Sequence, residues 1–140
     1  ERAADVARHF GLDPRVAFVS FSTFGYPVSE RATKMALAPA VLERGGVNFE
    51  FEGEMTVDVA LNPRAQANYP FQRLSGPANI LIVPARHSAS ISVKLMQEMG
   101  GATVIGPILA GVDKSIQICS TSATVNDILN MAVLAANKIG

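Results

Sequence analysis

The amino-acid sequence predicts an α/β fold built on a mainly parallel sheet. Nearly continuous apolar runs at residues 16–21 and 79–83 are typical of strands that are covered on both faces. Segments with the period of an α-helix alternate with these runs along the chain, as they do in parallel sheets with helical crossovers. With 140 residues, 49% of them hydrophobic, the chain is long enough to bury the core that such a domain requires.

The first third of the chain is predicted to hold two helices around one strand. The first helix spans residues 1–11 and ends at Gly11. Its apolar face consists of Ala3, Val6, Ala7 and Phe10. After the strand, Ser29 caps a second helix that runs to about residue 44. Pro39 lies inside this helix, where its missing N–H group should bend or interrupt the helix.

The middle of the chain continues the alternation of strands and helices. Strands are predicted at 47–52, 79–83 and 102–105 and around Ile116 and Ile118, and helices at 53–61 and 88–99. The segment 62–77 contains three prolines and no clear period, so it is predicted to be an irregular loop. Glycines bound the connector at 106–111, which leads to the last strand.

A hydroxyl-rich turn at residues 120–124 leads into the last helix. The apolar face of this helix consists of Val125, Ile128, Leu129, Ala132, Ala136 and Ile139. Two interpretations of the turn are open. It could hold an anion, because free N–H groups and the helix dipole point to the same place. Alternatively, Thr124 caps the helix and Asp127 bonds back to it as a capping box, and such caps outnumber phosphate sites.

The composition excludes several classes of function. Twelve basic residues balance twelve acidic ones, so the chain lacks the positive charge that binds nucleic acid or an anionic membrane. No apolar run is long enough to span a bilayer. The single cysteine excludes an internal disulfide and indicates a reducing, cytoplasmic location. Because the chain starts without methionine and inside a predicted helix, we expect it to be part of a longer polypeptide.

No catalytic constellation stands out in the sequence. His9 and His87 have no metal-ligating residue at a suitable spacing, so no metal site is predicted. Cys119 ends a predicted strand, where a buried, inert thiol is a more frequent role than a nucleophile. There is neither a nucleophile elbow nor a phosphate-binding P-loop motif.

Charged side chains and loops give weaker indications of a site. Helical spacing could place Glu54 and Asp58 on one face of the predicted helix. The ordinary explanation for acidic residues there is that they are solvated and lie near the start of the helix. Three arginines are candidates for binding phosphate, although a surface position without such a role is more frequent for an arginine: Arg64, Arg73 and Arg86. The loops at 22–25 and 120–124 both follow predicted strands. If those strands are neighbours, the two loops face one crevice at the carboxyl edge of the sheet.

Five motifs together resemble the phosphate acetyltransferase and phosphate butyryltransferase family. They are VAFVSFSTFG (16–25), FEGEMTVDVAL (51–61), SGPANILIVP (75–84), GPILAG (106–111) and STSATVNDILNMAVLA (120–135). More closely, Phe24-Gly25, residues 122–125 and residues 130–132 are similar to the version of this domain fused behind bacterial NADP-dependent malic enzymes. The resemblance covers nearly the whole chain, with the motifs in order.

The resemblance implies a three-layer α/β/α fold that is part of a two-lobed domain with a coenzyme A cleft between the lobes. Residues 1–112 are then expected to form most of one lobe. Residues 113–140 are expected to supply a final strand and helix to the other lobe. This assignment comes from the family and not from the periodicity of the sequence.

The resemblance also implies a set of site residues. The family relies on a Ser-Arg pair and a later aspartate, and Ser120 and Asp127 match the serine and the aspartate. Thr121 stands in place of the arginine, so Ser120, Thr121 and Asp127 are expected to be vestigial catalytic residues. Phe24 likewise replaces the usual lysine of the first loop. The residues expected to bind acetyl-CoA are Ser22, Thr23, Gly25, Gly106, Pro107, Ser120, Thr121 and Asp127.

These substitutions favour one function and leave two alternatives open. A hydroxyl group cannot supply the charge that positions a phosphate group, so acyl transfer is disfavoured while binding of acetyl-CoA is retained. The favoured hypothesis is a regulatory domain of an oligomeric malic enzyme, with NADP and a divalent metal bound only by the malic enzyme domain. The alternatives are an active phosphate acetyltransferase and a structural oligomerisation module.

Overall fold

The computed structural model describes residues 1–138, so the predicted apolar position at Ile139 lies outside the described residues. The helices are α1 (Arg2–His9), α2 (Glu30–Gly45), α3 (Val57–Leu61), α4 (Pro63–Gln66), α5 (Arg86–Gly100) and α6 (Val125–Ala136). The strands are β1 (Arg15–Val19), β2 (Glu50–Met55) and β3 (Ile80–Ile82). No helix within this part of the chain is both long and apolar enough to cross a bilayer.

The three strands form a parallel sheet in the order β2-β1-β3. The chain passes from β1 to β2 through α2 and then crosses to the opposite side of β1 to form β3. The sheet therefore reverses its winding direction at β1, which makes the carboxyl end of β1 a topological switch point. The predicted α/β class with a parallel sheet is confirmed.

Side chains of β1 alternate between two hydrophobic clusters. Val16 and Phe18 pack with Met35 of α2 on one face of the sheet. Ala17 and Val19 point to the other face, where their cluster includes residues of α3. Helices therefore cover both faces, as in a three-layer arrangement. This burial on both faces explains why β1 reads as an uninterrupted apolar run rather than an alternating one.

Helix α2 remains continuous through Pro39, contrary to the expected interruption. Ala32, Met35 and Pro39 form a buried stripe along this helix. A proline inside a helix costs about 3 kcal/mol because it removes a hydrogen bond and crowds the preceding turn. Burying the stripe against β1 and β2 stabilises the fold by a free energy of similar size, since one large apolar side chain contributes about 1.5–3 kcal/mol.

Strand β2 lies three residues further along the chain than predicted. It begins at Glu50 and continues through the segment that was predicted to start a helix, so α3 begins only at Val57. Gly53 is required inside the strand because a Cβ atom there would lie 2.6 Å from the carbonyl oxygen of Phe18. Its φ of 142° is also a conformation that other residues rarely adopt.

Three further element predictions need smaller corrections. The segment 62–77 is not wholly irregular, because Asn62 accepts a hydrogen bond from the N–H of Arg64 and starts the short helix α4. Helix α1 buries Ala4 and Ala7, whereas Ala3 and Phe10 of the predicted face are exposed. Helix α5 begins two residues earlier than predicted.

The predicted strands at 102–105 and around Ile116 and Ile118 are wrong. Within residues 1–138 neither segment pairs with another strand, and the two isoleucines are 55% and 53% exposed. An alternating pattern records only which side chains could be buried, whereas a strand also needs a neighbour that accepts and donates its backbone hydrogen bonds. Helix α6 instead packs Met131 and Leu134 against Val6 and Ile108.

Candidate ligand-binding site

A cavity of about 740 Å³ lies beside helix α5 in the C-terminal third of the chain. The rest of its lining comes from residues 104–108, 118–120 and 122–123 and from the first turns of α6. This volume falls within the range that is usual for small-molecule sites. Four of the residues that the resemblance assigns to acetyl-CoA binding line this cavity: Gly106, Pro107, Ser120 and Asp127.

The predicted capping box at the start of α6 is confirmed. Thr124 Oγ1 accepts a hydrogen bond from the N–H of Asp127 at 3.2 Å, and Asp127 Oδ2 accepts one from the N–H of Thr124 at 2.8 Å. The N–H of Thr124, followed by its hydroxyl group, lowers the pKa of Asp127 below its ordinary value. Asp127 therefore lines the cavity as a carboxylate whose acceptor capacity is partly used by the helix cap.

The two neighbouring residues Ser120 and Thr121 differ in position. Ser120 lines the cavity, and its Oγ accepts a hydrogen bond from the N–H of Ser122 at 3.2 Å and lies 2.9 Å from the hydroxyl of Ser122. Thr121 is exposed and is not among the residues that line the cavity. Position 121 therefore supplies no charge to the cavity.

The loop that follows β1 is held by a buried carboxylate. Ser22 is fully buried, and its hydroxyl donates to Glu54 Oε1 at 3.0 Å. The N–H of Gly25 donates to the same oxygen at 2.7 Å. Thr23 Oγ1 accepts a hydrogen bond from the N–H of Thr56 at 3.0 Å, which joins the loop to the end of β2 at a second point.

The N–H groups of Thr23 and Phe24 are also used internally. Phe24 donates to the backbone carbonyl of Glu54 at 2.8 Å, and Thr23 and Tyr26 exchange two backbone hydrogen bonds. An anion from solvent would have to displace these interactions. Glu54, which is 2% exposed, thus occupies the position that an anionic ligand of the loop would take.

The predicted common crevice for the two loops is not formed. A common crevice required that each loop directly follow one of two neighbouring strands. In the part of the chain that the structure describes, the residues immediately before the turn at 120–124 do not form a strand. Residues 22–25 accordingly do not line the cavity that contains Ser120. Of the predicted ligand-binding residues, Ser22, Thr23, Gly25 and Thr121 therefore lie outside the cavity lining, which contains Gly106, Pro107, Ser120 and Asp127.

Phe24 belongs to a small aromatic cluster. Its ring centroid lies 5.3 Å from that of Tyr69 and 4.9 Å from that of Phe71, in tilted and edge-on arrangements that favour aromatic attraction. The positive φ of 49° at Phe24 is unusual for a bulky residue. The aromatic packing helps to offset this strain, and it holds the half-buried side chain of Phe24 against the hydrophobic core.

One face of α5 supplies a polar stripe to the cavity. The polar members of this stripe are Arg86, Ser90, Lys94 and Gln97, and Ala89 and Val93 line the cavity beside them. These residues recur every three or four positions, which is the spacing of one side of a helix. Of them, only Arg86 was a candidate from the sequence. The others were missed because the helix was identified from its apolar residues, whereas the informative signal was the polar stripe beside them.

The charged residues of the cavity lining are Arg86, Lys94 and Asp127. Asp127 is bonded to the helix cap through Oδ2 and remains an anion of the lining, so the cavity has two cations and one anion. This balance suits a ligand with negative charge. Cys119 also lines the cavity, and it is exposed rather than buried at a strand end as predicted.

The other charged candidates from the sequence have structural roles or lie at the surface. Arg73 Nε donates to Glu52 Oε2 at 3.1 Å, and the guanidinium also reaches Glu43 at 3.3 Å. The hydrogen bond to Glu52 is the main reason why the pKa of Arg73 is raised. Arg64 is exposed. Glu54 and Asp58 do not share a helix face, because Glu54 is in β2 and only Asp58 is in α3.

Comparisons with known proteins relate the chain to two groups of enzymes. The family model for phosphate acetyl/butaryl transferase matches residues 1–136. The chain is 54% identical, over its whole length, to an NADP-dependent malic enzyme of Rhizobium meliloti, and 40% identical over 96% of its length to a probable NADP-dependent malic enzyme of Rickettsia prowazekii. It spans only 18% and 19% of those two relatives.

A solved structure shares the fold of the chain. A phosphotransacetylase from Staphylococcus aureus superimposes with a TM-score of 0.87 at 30% sequence identity. The match covers 99% of this chain and 44% of that protein.

Proposed function

Because the chain belongs to the phosphate acetyl/butaryl transferase family, we propose that it is a non-catalytic, acetyl-CoA-binding regulatory domain of an NADP-dependent malic enzyme. The parent enzyme would oxidise and decarboxylate malate to pyruvate, with NADP and a divalent metal bound outside this chain. In this proposal residues 1–112 belong mainly to one lobe of the domain and residues 113–140 to the other. The single cysteine supports a cytoplasmic location.

The observation that carries the proposal is the threonine at position 121. An arginine at this position could bind phosphate through two charge-assisted hydrogen bonds, whereas a neutral, exposed hydroxyl cannot. Loss of one such stabilising donor lowers a catalytic rate by about a hundredfold or more. Phe24, packed against Tyr69 and Phe71, stands where the family usually has a lysine, so this chain lacks that cation as well.

Retention of the cavity supports binding without catalysis. Gly106, Pro107, Ser120 and Asp127 still line one space that is large enough for part of a coenzyme A molecule. A ligand that binds one arrangement of the domain more tightly shifts the population toward that arrangement, and contacts with the malic enzyme domain would transmit the shift. Inhibition of malate oxidation by acetyl-CoA is the response that the resemblance favours.

The test combines calorimetry with malate oxidation by the full-length polypeptide. We expect acetyl-CoA to bind and to change the rate of malate oxidation. Ala123→Phe places a large ring in the cavity lining and should abolish both effects. Ala40→Phe, at an exposed position of α2, is the matched control and should leave both effects intact. No heat of binding and no change in rate for the unmodified protein would refute the proposal.

An active phosphate acetyltransferase is the second candidate, and the position of Arg86 favours it. Arg86 lines the same cavity as Ser120 and could supply a cation that Thr121 does not. Phosphorus NMR of the protein with acetyl-CoA and phosphate distinguishes this candidate by the formation of acetyl phosphate. If that activity occurs, Arg86→Gln should abolish it, whereas Thr121→Arg should raise it.

A structural oligomerisation module is the third candidate. Helix α6 exposes Val125, Leu129 and Val133, which an interface between subunits could cover. Replacing Leu129 and Val133 with glutamine should reduce the assembly size if this surface joins subunits. The acetyl-CoA response measured on the same variants separates assembly from regulation, since the two roles are compatible.

A further inference from the structure

We propose that Arg86 and Lys94 form a two-point recognition site for separated phosphate groups of the cavity ligand. This inference rests on the proposed function, because it deepens the assignment of the cavity to an acyl-CoA. Both residues lie on α5 and line the same cavity, whereas the residues assigned from the family lie on other segments.

Helical geometry sets the separation of the two charges. Arg86 and Lys94 are eight residues apart, so their Cα atoms are separated by about 12 Å along the helix axis. They lie two turns apart on one side of the helix, with Ser90 between them on the same side. A single phosphate or carboxylate does not span this distance without one long side chain bending toward the other. A ligand with two anionic groups, such as a nucleotide that carries phosphates at two positions, matches it.

The stability of α5 does not account for Arg86. This arginine is the first residue of the helix, and the first turn contains no acidic residue. The helix dipole disfavours a cation at this end, so the position is unfavourable for the isolated helix. Neither cation takes part in the salt bridges recorded among residues 1–138. Both charges are thus available to a ligand in the cavity.

The experiment measures the affinities of three probes by calorimetry with the full-length polypeptide. Acetyl-CoA carries both the thioester and the phosphates, S-acetylpantetheine lacks phosphate, and adenosine 3′,5′-bisphosphate has phosphates at two positions but lacks the thioester arm. We compare Arg86→Gln and Lys94→Gln with the unmodified protein. Lys34→Gln, at an exposed position of α2, is the matched control for loss of one positive charge.

Each cavity variant should weaken the binding of acetyl-CoA and of adenosine 3′,5′-bisphosphate by about tenfold or more, the effect expected for loss of a charged hydrogen bond. The same variants should leave S-acetylpantetheine affinity unchanged, and Lys34→Gln should leave all three affinities unchanged. Equal losses for acetyl-CoA and S-acetylpantetheine, or no loss for acetyl-CoA, would overturn the inference. Circular dichroism of each variant checks that α5 is intact.

The three probes also separate the inference from the proposed function. If adenosine 3′,5′-bisphosphate binds and responds to the two substitutions while acetyl-CoA does not bind, phosphate recognition stands and acetyl-CoA binding fails. If acetyl-CoA binds but neither substitution changes its affinity, acetyl-CoA binding stands and the recognition site is refuted. If neither acetyl-CoA nor adenosine 3′,5′-bisphosphate binds, both proposals are refuted.

Discussion

Removing the Glu54 carboxylate should release the loop that follows β1. Glu54→Ala deletes the acceptor of two hydrogen bonds, from the Ser22 hydroxyl and from the N–H of Gly25. An unsatisfied buried donor costs about 1–3 kcal/mol. Ser22 keeps only a long contact of 3.4 Å to Ser20, whereas Gly25 is exposed enough for water to replace its lost acceptor.

The net effect follows from these two losses and one gain. The two lost acceptors together cost about 2–4 kcal/mol of stability. This is less than two full penalties for unsatisfied donors, because water can replace the acceptor of the exposed Gly25 N–H. No salt bridge recorded among the described residues involves Glu54, so deleting it also removes a desolvated charge. We therefore expect a decrease in the free energy of unfolding of about 2–3 kcal/mol.

Urea denaturation of Glu54→Ala, Glu54→Gln, Ser22→Ala and the double variant tests this prediction. Glu54→Gln retains an acceptor oxygen and should lose about 1 kcal/mol, the value of charge assistance in one hydrogen bond. In the double variant, the effects of Ser22→Ala and Glu54→Ala should be less than additive, since both remove the same bond. Additive effects, or equal losses for the alanine and glutamine variants, would refute the anchoring role.

Four other predictions concern the backbone at Gly53, the cap of α6, the pH dependence due to Asp127 and the reactivity of Cys119. Gly53→Ala should lower the free energy of unfolding measured by urea denaturation by about 2 kcal/mol or more, because the added Cβ would overlap Phe18 of β1. In the control variant Gly100→Ala the added Cβ meets no atom within 4 Å, so this change should be neutral or stabilising. Thr124→Ala should cost about 1 kcal/mol in thermal unfolding by removing the cap of α6; no loss would contradict the capping role. The folded state lowers the pKa of Asp127, so ionised Asp127 contributes to folding stability. This contribution is fully present above the ordinary pKa of 3.8 and is lost as the pH falls through the lower pKa of the folded state. The melting temperatures of the unmodified protein and of Asp127→Asn should therefore converge in acid. The exposed Cys119 should react with a thiol reagent, and acetyl-CoA should slow the reaction because Cys119 lines the cavity; an unchanged rate at saturation would contradict this.

The parallel core could be predicted because the central strand is buried on both faces. Val16, Ala17, Phe18 and Val19 are all buried, so the sequence contains the expected uninterrupted apolar run. The capping box was predictable for a similar reason, since Thr124 and Asp127 interact across only three residues. Both features depend on local sequence and on a single class of interaction.

The boundaries of β2 were missed because glutamates interrupt its pattern. Glu52 is buried and pairs with Arg73, which lies 21 residues further along the chain. Glu54 is buried beside Ser22 and Gly25 of a preceding loop. These hydrogen-bond partners are distant in sequence. The sequence alone therefore does not distinguish a buried carboxylate that is fully hydrogen-bonded from one that is exposed to solvent.

The cavity could be predicted only in part, because its walls come from separate segments. The family motifs indicated Ser120 and Asp127, but no local period reveals that they share a cavity with Lys94 of α5. Conversely, the alternation around Ile116 and Ile118 suggested a strand, although strand formation depends on a partner that lies elsewhere. Long-range pairing, rather than local propensity, determines both outcomes.

Phosphorus NMR of the full-length polypeptide with acetyl-CoA and inorganic phosphate tests the central claim most directly. The claim is that Thr121 leaves a site that binds an acyl-CoA but cannot transfer its acyl group. Under conditions in which calorimetry shows acetyl-CoA to be bound, no acetyl phosphate should form above the level of a protein-free sample. Formation of acetyl phosphate with many turnovers per molecule would contradict the account.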